Sequence, residues 1–508
     1  MTSMKRGVVF ILCLSLLRPV MAALPMASSS TVDISTSPLE DEYAVYPSTP
    51  TKKQLRQMRE FRPRKAPIRQ LHNMERTINR AIKRTSPNPR VQSPGTSAMP
   101  GQAPAMPKPP AEVSTPPTRA DRFLNAAAKV MTKSWNGNIF VWLPAISTDP
   151  NTGPTMGVLP VLVLADPETH HIRHLFAPSY TYNELFGHTG TWRYYFYPTD
   201  ASQLFTTASY SQHTNREVKA RYENTAARDG VLYIRAESYY AIDASNRFFG
   251  IGPQTREGDE AGYTSKDAIG RVAAGINFEH SWRATLGARL RQFSTASTII
   301  PHTADLTTRQ PDLAGIGTHN TMAGEFRLLW DTRDSPITPS HGSSGELFTE
   351  TTSPELGSDS DYIRYGLDGK RFFLWKDPKQ VTVLHGLYEW ANGPFIPFYE
   401  LPSLGGRDTL RGYGEGRFAD RGRLVANVEH RYTFSSLNLM GIQTNFEIAP
   451  FFDIGSVFPT ASQIERRYFR PVYGTAFRAA VKPNVVGDVE VGIGKEGPAV
   501  FVDINYPY

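Results

Sequence analysis

From about Trp135 to Tyr508 the chain consists of short runs in which apolar and polar residues alternate, separated by turn residues. A period of two marks a strand with two different faces. Trp282, Ala284, Leu286, Ala288 and Leu290 alternate with Arg283, Thr285, Gly287, Arg289 and Arg291. Phe326, Leu328 and Trp330 oppose Arg327, Asp331 and Arg333, and Leu232, Ile234 and Ala236 oppose Arg235 and Glu237. In Leu424 to Phe434, Leu424, Ala426, Val428, His430 and Tyr432 share one face, with Val425, Asn427, Glu429, Arg431 and Thr433 on the other. A soluble sandwich would bury the apolar face, but here the opposite face carries arginines and acids that have to surround a wet interior. The expectation is an all-β fold: a transmembrane antiparallel β-barrel over 135–508, of about sixteen strands, with eighteen as the alternative. The count turns on whether Ile139 to Ala165 is barrel wall or a rim hairpin.

Past the first twenty-odd residues no apolar run reaches the roughly 18 to 20 residues of a spanning helix. A membrane form therefore has to be a closed barrel, which satisfies its backbone between strands. With 23 Tyr and 27 Phe the chain has aromatics for interfacial girdles. The clusters Trp192-Arg193-Tyr194-Tyr195-Phe196-Tyr197 and Tyr388-Glu389-Trp390 are expected at strand ends.

The N-terminal quarter is different. Lys5 and Arg6 precede an apolar run to about Val20 and the small residues Ala22-Ala23, which predicts a signal peptide over 1–23. The single cysteine, Cys13, lies within it, so no disulfide is expected beyond it. Residues 24–118 are rich in Ser, Thr and Pro and are expected to be a mostly disordered arm. Within the arm, Lys52 to Arg90 is basic. Ile68, Leu71, Met74, Ile78 and Ile82 recur at helical spacing, giving a basic amphipathic segment over 68–84 suited to anionic lipid, cell wall or a partner protein. Nucleic acid is not an expected partner of a secreted chain. Phe123, Leu124, Ala127, Val130 and Met131 follow a cap at Asp121 and predict a short helix over 119–134 at the barrel entrance, on the rim or in the lumen.

The rest of the chain is organised around Leu404 to Asp453. Gly405, Gly406, Gly412, Gly414 and Gly416 mark a loop, and Arg407, Arg411, Arg417 and Arg421 lie among them. Glycines beside arginines let a backbone fold tightly enough to hold a guanidinium in place. Five strands are expected after the loop: Leu424 to Phe434, Ile442 to Asp453, Val472 to Val481, Asp488 to Gly494 and Ala499 to Tyr506. The last ends beside the aromatic Tyr508.

The block Leu404-Gly405-Gly406, Leu410-Arg411-Gly412-Tyr413, Asn427-x-Glu429-x-Arg431 and Phe452-Asp453-x-Gly455 resembles the bacterial surface antigen superfamily of outer-membrane β-barrels. That superfamily includes BamA/TamA-type assembly proteins and two-partner secretion transporters. Trp330-Asp331-Thr332-Arg333-Asp334 resembles a second motif of the family, and Phe248-Phe249-Gly250-Ile251-Gly252 a third. The resemblance implies a loop folded back into the lumen, with Arg411 paired to Asp453, Glu429 nearby and Gly455 completing the partner motif. It also implies a bacterial outer-membrane location with the arm in the periplasm, and a terminal aromatic used in barrel recognition. Between Leu24 and Asn136 the strand alternation of the family's periplasmic POTRA repeats is not recognisable.

Candidate chemistry is sparse. Asp331, Arg333 and Asp334 fit a lumen network better than a cation site. His170, His171 and His174 lack the complement of a zinc site. No Gly-x-Ser-x-Gly elbow occurs, and Ser340-His341-Gly342-Ser343 is turn-rich. No catalytic residue, metal or cofactor is expected, and the chain is not expected to be an enzyme. Three functions fit: membrane biogenesis by insertion or translocation of protein or lipid, with outer-membrane lipid and a client as partners; a passive pore; or a structural barrel tethered through its basic arm. The first would require a seam between first and last strands weak enough to open, and Gly487, Gly492, Gly494 and Gly497 suit that.

Overall fold

A computed structural model of the chain describes residues 132–508, apart from 136–137, 150, 167–171, 200, 280, 337, 440–441, 482–484, 505–506 and 508. The predicted signal peptide 1–23, the arm 24–118 with its segment 68–84, and most of the helix placed at 119–134 lie outside the described residues. The end of that helix is corrected: Thr132–Trp135 form a strand, β1, whose residues pair with Asn138 to Val141. The sequence between them is Asn136-Gly137, a strong hairpin signal that outweighs helical spacing in the residues before it.

Nearly all the rest is strand. β2 (Asn138–Asp149), β3 (Gly153–Ala165), β4 (Ile172–Phe176), β5 (Ser179–Asn183), β6 (Gly187–Thr199), β7 (Ser202–Ser211), β8 (Arg216–Ala227) and β9 (Leu232–Phe248) come first. β10 (Ala261–Phe278), β11 (Trp282–Ala296), β12 (Ala304–Asp305), β13 (Thr318–Asp331), β14 (Gly342–Thr352), β15 (Asp361–Leu374) and β16 (Gln380–Phe395) follow. The arginine loop contributes the two-residue strands β17 (Ser403–Leu404) and β18 (Phe418–Ala419), which pair with each other. β19 (Gly422–Leu439), β20 (Ile442–Phe458), β21 (Arg470–Val481), β22 (Val485–Gly494) and β23 (Gly497–Ile504) complete the chain.

Apart from β17 and β18, these strands form one twenty-one-stranded sheet. Each wall strand pairs antiparallel with the next, and β23 returns to β2 at Thr148↔Val500, closing the cylinder. With β4 and β5 counted as halves of one interrupted strand, and β1 and β12 set aside, the wall has eighteen strands among the described residues. That is the alternative count. The difference from sixteen lies upstream of the loop, where Ile139 to Ala165 supplies two wall strands, β2 and β3. Five strands follow the arginine loop, as the alternation predicts.

An even strand number brings both chain ends of the wall to one end of the cylinder, where the turns are short. Longer loops, residues 249–260, 297–317, 396–421 and 459–469 among them, gather at the other end. The faces sort as the alternation requires. Leu286 is 69% exposed and Leu290 53% on the outer face of β11, whereas Arg289 between them is 3% exposed inside. At the short-turn end Phe278, Trp282 and Trp330 stack in a row with ring centroids 6.3 and 6.4 Å apart, as an interfacial belt does. The two aromatic clusters expected at strand ends are corrected: Trp192 to Tyr197 runs from the middle of β6 to two residues before its end, with alternate rings on opposite faces, and Tyr388 to Trp390 lies inside β16. Alternation there lets one run of aromatics line both sides of the wall.

One part of the wall breaks the pattern. By register, Val141 and Leu143 of β2 sit opposite Val161 and Leu159 of β3, and Val163 opposite Leu175 of β4. These side chains share the inward face with Thr155 and Thr181. Phe140 and Trp142, which alternate with them, are exposed on the outside. From β2 to β4 the wall is therefore apolar on both faces.

Candidate functional site

Residues 396–421 leave the rim at the end of β16 and fold inward, so that the tip of the loop is among the most enclosed parts of the chain. The local reason is glycine. Gly405 has φ +113, which side-chain-bearing residues rarely adopt, and it packs directly on the Gly414 carbonyl. The loop carries its own small core: Leu404, Leu410, Tyr413 and Phe418 pack with Leu387, Val425, Phe451, Val457 and Val472 of the wall. Gly455 clears the space this needs, since a Cβ there would lie 3.3 Å from Leu404 and 3.4 Å from Leu410.

Arg411 is fully buried. Its Nε donates to Asp453 Oδ2 at 2.9 Å and its Nη2 to Asp453 Oδ1 at 2.8 Å, a bidentate fork. Its Nη1 donates to Glu429 at 2.8 Å and to Glu490 at 3.0 Å, and the guanidinium stacks 3.4 Å above the Phe451 ring. The backbone N–H of Arg411 also donates to Asp453, at 3.2 Å. Asn427 steadies that carboxylate: its Nδ2 donates to Asp453 Oδ1 and to the Thr409 carbonyl, both at 2.8 Å.

Arg478, Asp488 and Glu490 around it were not singled out in the sequence. Arg478 of β21 donates to both Glu429 oxygens, to Asp488 at 2.9 Å and to Glu490 at 2.8 Å. Arg407 reaches Asp488 from the loop at 3.0 Å, and Arg431 donates to Glu429 at 2.9 Å. Four arginines thus meet four carboxylates with almost no solvent exposure. Taking one ion out of water costs several kcal/mol, so each charge here is tolerable only because the others surround it. The available signal was weak: Arg478, Asp488 and Glu490 are single charges at inward positions of ordinary strands.

Gly412 explains why the motif has glycine after the arginine. A Cβ on it would lie 2.6 Å from the Gly494 nitrogen. A Cβ on Gly492 would collide with the Arg411 carbonyl. Gly492 and Gly494 of β22 are thus occupied in letting the loop lie against the wall. Tyr413 closes the contact, accepting the Lys495 N–H at 3.2 Å through its hydroxyl and meeting Phe418 edge-on.

The second motif is not at this centre. Arg333 forms a bidentate pair with Asp331, its Nη2 2.7 Å from the carboxylate, at the start of the ten-residue connection 332–341 after β13. Asp334 accepts from the backbone N–H groups of Ser340 at 2.9 Å and His341 at 3.1 Å and from the Ser340 hydroxyl, so it clasps the same connection. The connection reaches the loop's network through Arg431, whose Nη1 donates to the Pro339 carbonyl at 3.5 Å. Among the described residues no group of three or more His, Cys, Asp or Glu could hold a metal ion. The third motif does touch the loop: Ile251 bridges Ala419, Gly252 N–H donates to the Ala419 carbonyl at 2.8 Å, and Arg417 lies 4.3 Å above the Phe249 ring.

The Omp85 superfamily domain matches residues 200–480, more than half of the chain. The chain belongs to the Omp85 superfamily. Among solved structures it is similar to BamA from Haemophilus ducreyi lacking POTRA domains 1-3, at 14% identity and a TM-score of 0.45, over 75% of this chain and 77% of that one. It is also similar to CdiB from Acinetobacter baumannii, at 12% identity and a TM-score of 0.38 over 73% of this chain, and to CdiB from Escherichia coli, at 10% and 0.40 over 73%. It spans 59% and 62% of those two chains, less than two thirds of each. No curated protein sequence matches it. As an Omp85 protein the chain is an outer-membrane β-barrel, and its aliphatic outer face is the face that meets lipid.

Proposed function

We propose that this Omp85 barrel works in outer-membrane biogenesis, inserting protein or lipid into the membrane or moving it across, with no chemical step. The observation that supports this reading is the seam. β22 and β23 register continuously from Gly487↔Ile504 to Gly494↔Gly497, whereas among the described residues β23 meets β2 at Thr148↔Val500 alone. β1 occupies part of the same edge of β2 near its start, leaving a stretch between that belongs to neither. Both seam strands carry a proline, Pro144 and Pro498, each lacking a ladder donor. An unpaired backbone edge is costly in hydrocarbon and is a template for another strand.

In this reading the short-turn end and the N-terminal arm face the periplasm, with the basic segment 68–84 available to anionic lipid, cell wall or a partner protein. Arg411, with Asp453 and Glu429, is the clamp that keeps the loop in the lumen and is needed for folding and activity alike.

The test locks the seam. Thr148→Cys with Val500→Cys places two thiols on paired positions of a chain whose only other cysteine is Cys13. Oxidation is expected to deplete other barrels or collapse lipid asymmetry in cells, and reductant to restore them. An intact envelope in the locked state, with only solute uptake changed, would favour the passive pore.

A further inference from the structure

The loop is anchored a second time, with the charges reversed. Glu400, 2% exposed, stands at the start of the loop as Arg411 stands at its tip. Arg289 Nη1 donates to Glu400 Oε1 at 2.9 Å and Nη2 to Oε2 at 3.1 Å, and Arg291 Nη1 donates to Oε1 at 2.9 Å. Arg364 of β15 lies 3.5 Å from the same carboxylate and donates to the Glu400 carbonyl at 3.3 Å. Phe398 pins this end, packed among Phe248, Tyr263 and Phe293, with its N–H donating to the Ala314 carbonyl at 2.8 Å.

At the tip, an arginine on the loop meets acids on β19, β20 and β22. At the start, an acid on the loop meets arginines on β11 and β15. Among the described residues β11 and β15 are the ninth and twelfth of eighteen wall strands, and β19, β20 and β22 the fourteenth, fifteenth and seventeenth. Residues 400–411 therefore join two separate groups of wall strands. Reversed polarity also means that neither end can bind in the other's place without setting like charges together.

β22 is the neighbour of β23, the strand that closes the barrel on β2. We propose that Glu400, with Arg289, Arg291 and Arg364, is the latch of the seam. The loop ties β22 to β11 and β15, and the β2–β23 junction opens when the Glu400 end lets go. Glu400 acts through the loop as a positioning residue. The proposal rests on the reading that the seam opens in function.

The test uses the full-length barrel in lipid vesicles, spin-labelled at Thr148→Cys and Val500→Cys, with single-channel conductance recorded in parallel. Glu400→Gln is expected to broaden and lengthen the seam distance and raise conductance several-fold. Arg289→Gln should shift both readouts the same way but less, because Glu400 keeps Arg291 and Arg364. The double variant should open the seam no further than Glu400→Gln, which already removes the charge that all three arginines face. The control is Glu325→Gln, which breaks a wall-to-wall pair with Arg271 at 3.1 Å and should leave both readouts as in the wild type. A folded Glu400→Gln barrel with wild-type seam distance and conductance overturns the latch. Should that variant fail to fold, Arg289→Lys decides: it keeps the charge but loses the fork on Glu400, and a wild-type seam there overturns the latch equally. A seam that widens in Glu400→Gln, while the disulfide-locked barrel still supports a normal envelope, leaves the latch standing and removes the biogenesis reading.

Discussion

Arg411 and Gly492 touch backbone to backbone: the position of a Cβ on the glycine is already filled by the arginine's carbonyl oxygen. Moving Gly492 aside would break its pairing with Gly474 on one side or Ala499 on the other. Gly492→Ala is therefore expected to push the loop off the wall, seen as new protease cleavage within residues 405–416. Gly487→Ala, whose Cβ meets nothing within 4 Å, should show the wild-type digestion pattern.

The two acids beside Arg411 are not equivalent. Asp453 takes the fork, but Glu429 receives bonds from Arg411, Arg431 and Arg478 together. Glu429→Gln strips the charge facing three arginines and should cost more stability than Asp453→Asn, at the upper end of the roughly 3 to 5 kcal/mol typical of breaking a buried pair. Urea unfolding followed by heat-modifiability on gels compares them, and equal midpoints would contradict the geometry.

Arg411→Lys keeps the charge and loses the geometry. An ammonium on a flexible stem cannot hold Asp453 with a planar fork and reach Glu429 and Glu490 at once. Its folded yield is expected to fall close to that of Arg411→Ala. A wild-type yield would mean that charge alone holds the loop.

Asp420, at the loop's exit, adds a pH dependence. Burial pushes its carboxyl up to about 6, against the N–H and guanidinium of Arg421, which pull it down. An acid whose folded-state pKa is raised stabilises fully when protonated and loses that contribution as pH rises from the ordinary carboxylate range through about 6. Asp420→Asn should be more stable than the wild type at pH 7, and the difference should close below about pH 4. Urea midpoints across that range check it.

Asp334 works in the opposite sense. Burial would raise its carboxyl, but hydrogen bonds from the Ser340 hydroxyl and the Ser340 and His341 N–H groups outweigh that and hold it below the ordinary range. The clasp is therefore intact above the ordinary carboxylate range and is lost as pH falls below it. Exchange of the Ser340 and His341 amides, corrected for its intrinsic pH dependence, should accelerate on that descent and be fast at all pH values in Asp334→Ala.

Where side-chain period and chemistry agreed, the sequence sufficed. The alternation of Trp282 to Arg291 gave an outer and an inner face, and the Leu410 to Tyr413 block with Asp453 and Glu429 drew together residues that the fold places within hydrogen-bond reach. It failed where the signal is a spacing across strands. Arg478 and Glu490 join the network of Arg411 only because three inward faces converge, which no one-dimensional pattern records. Glu400 sits in Phe-Tyr-Glu-Leu, without glycine or arginine to mark it, and its three partners are 36 to 111 residues away. β2 and β3 were ambiguous because both their faces are greasy, which erases the period that announces a wall strand.

That greasy inner wall has an electrical consequence. Water and ions leave narrow apolar passages and follow polar ones. With the loop withdrawn, an eighteen-stranded wall would leave an aqueous passage, in which ions would keep to the charged strands from β8 to β22 rather than to the flank from β2 to β4. The side beside the seam would then carry the least ion traffic, and an opening there would part the cylinder toward lipid where the wall is already apolar on both faces.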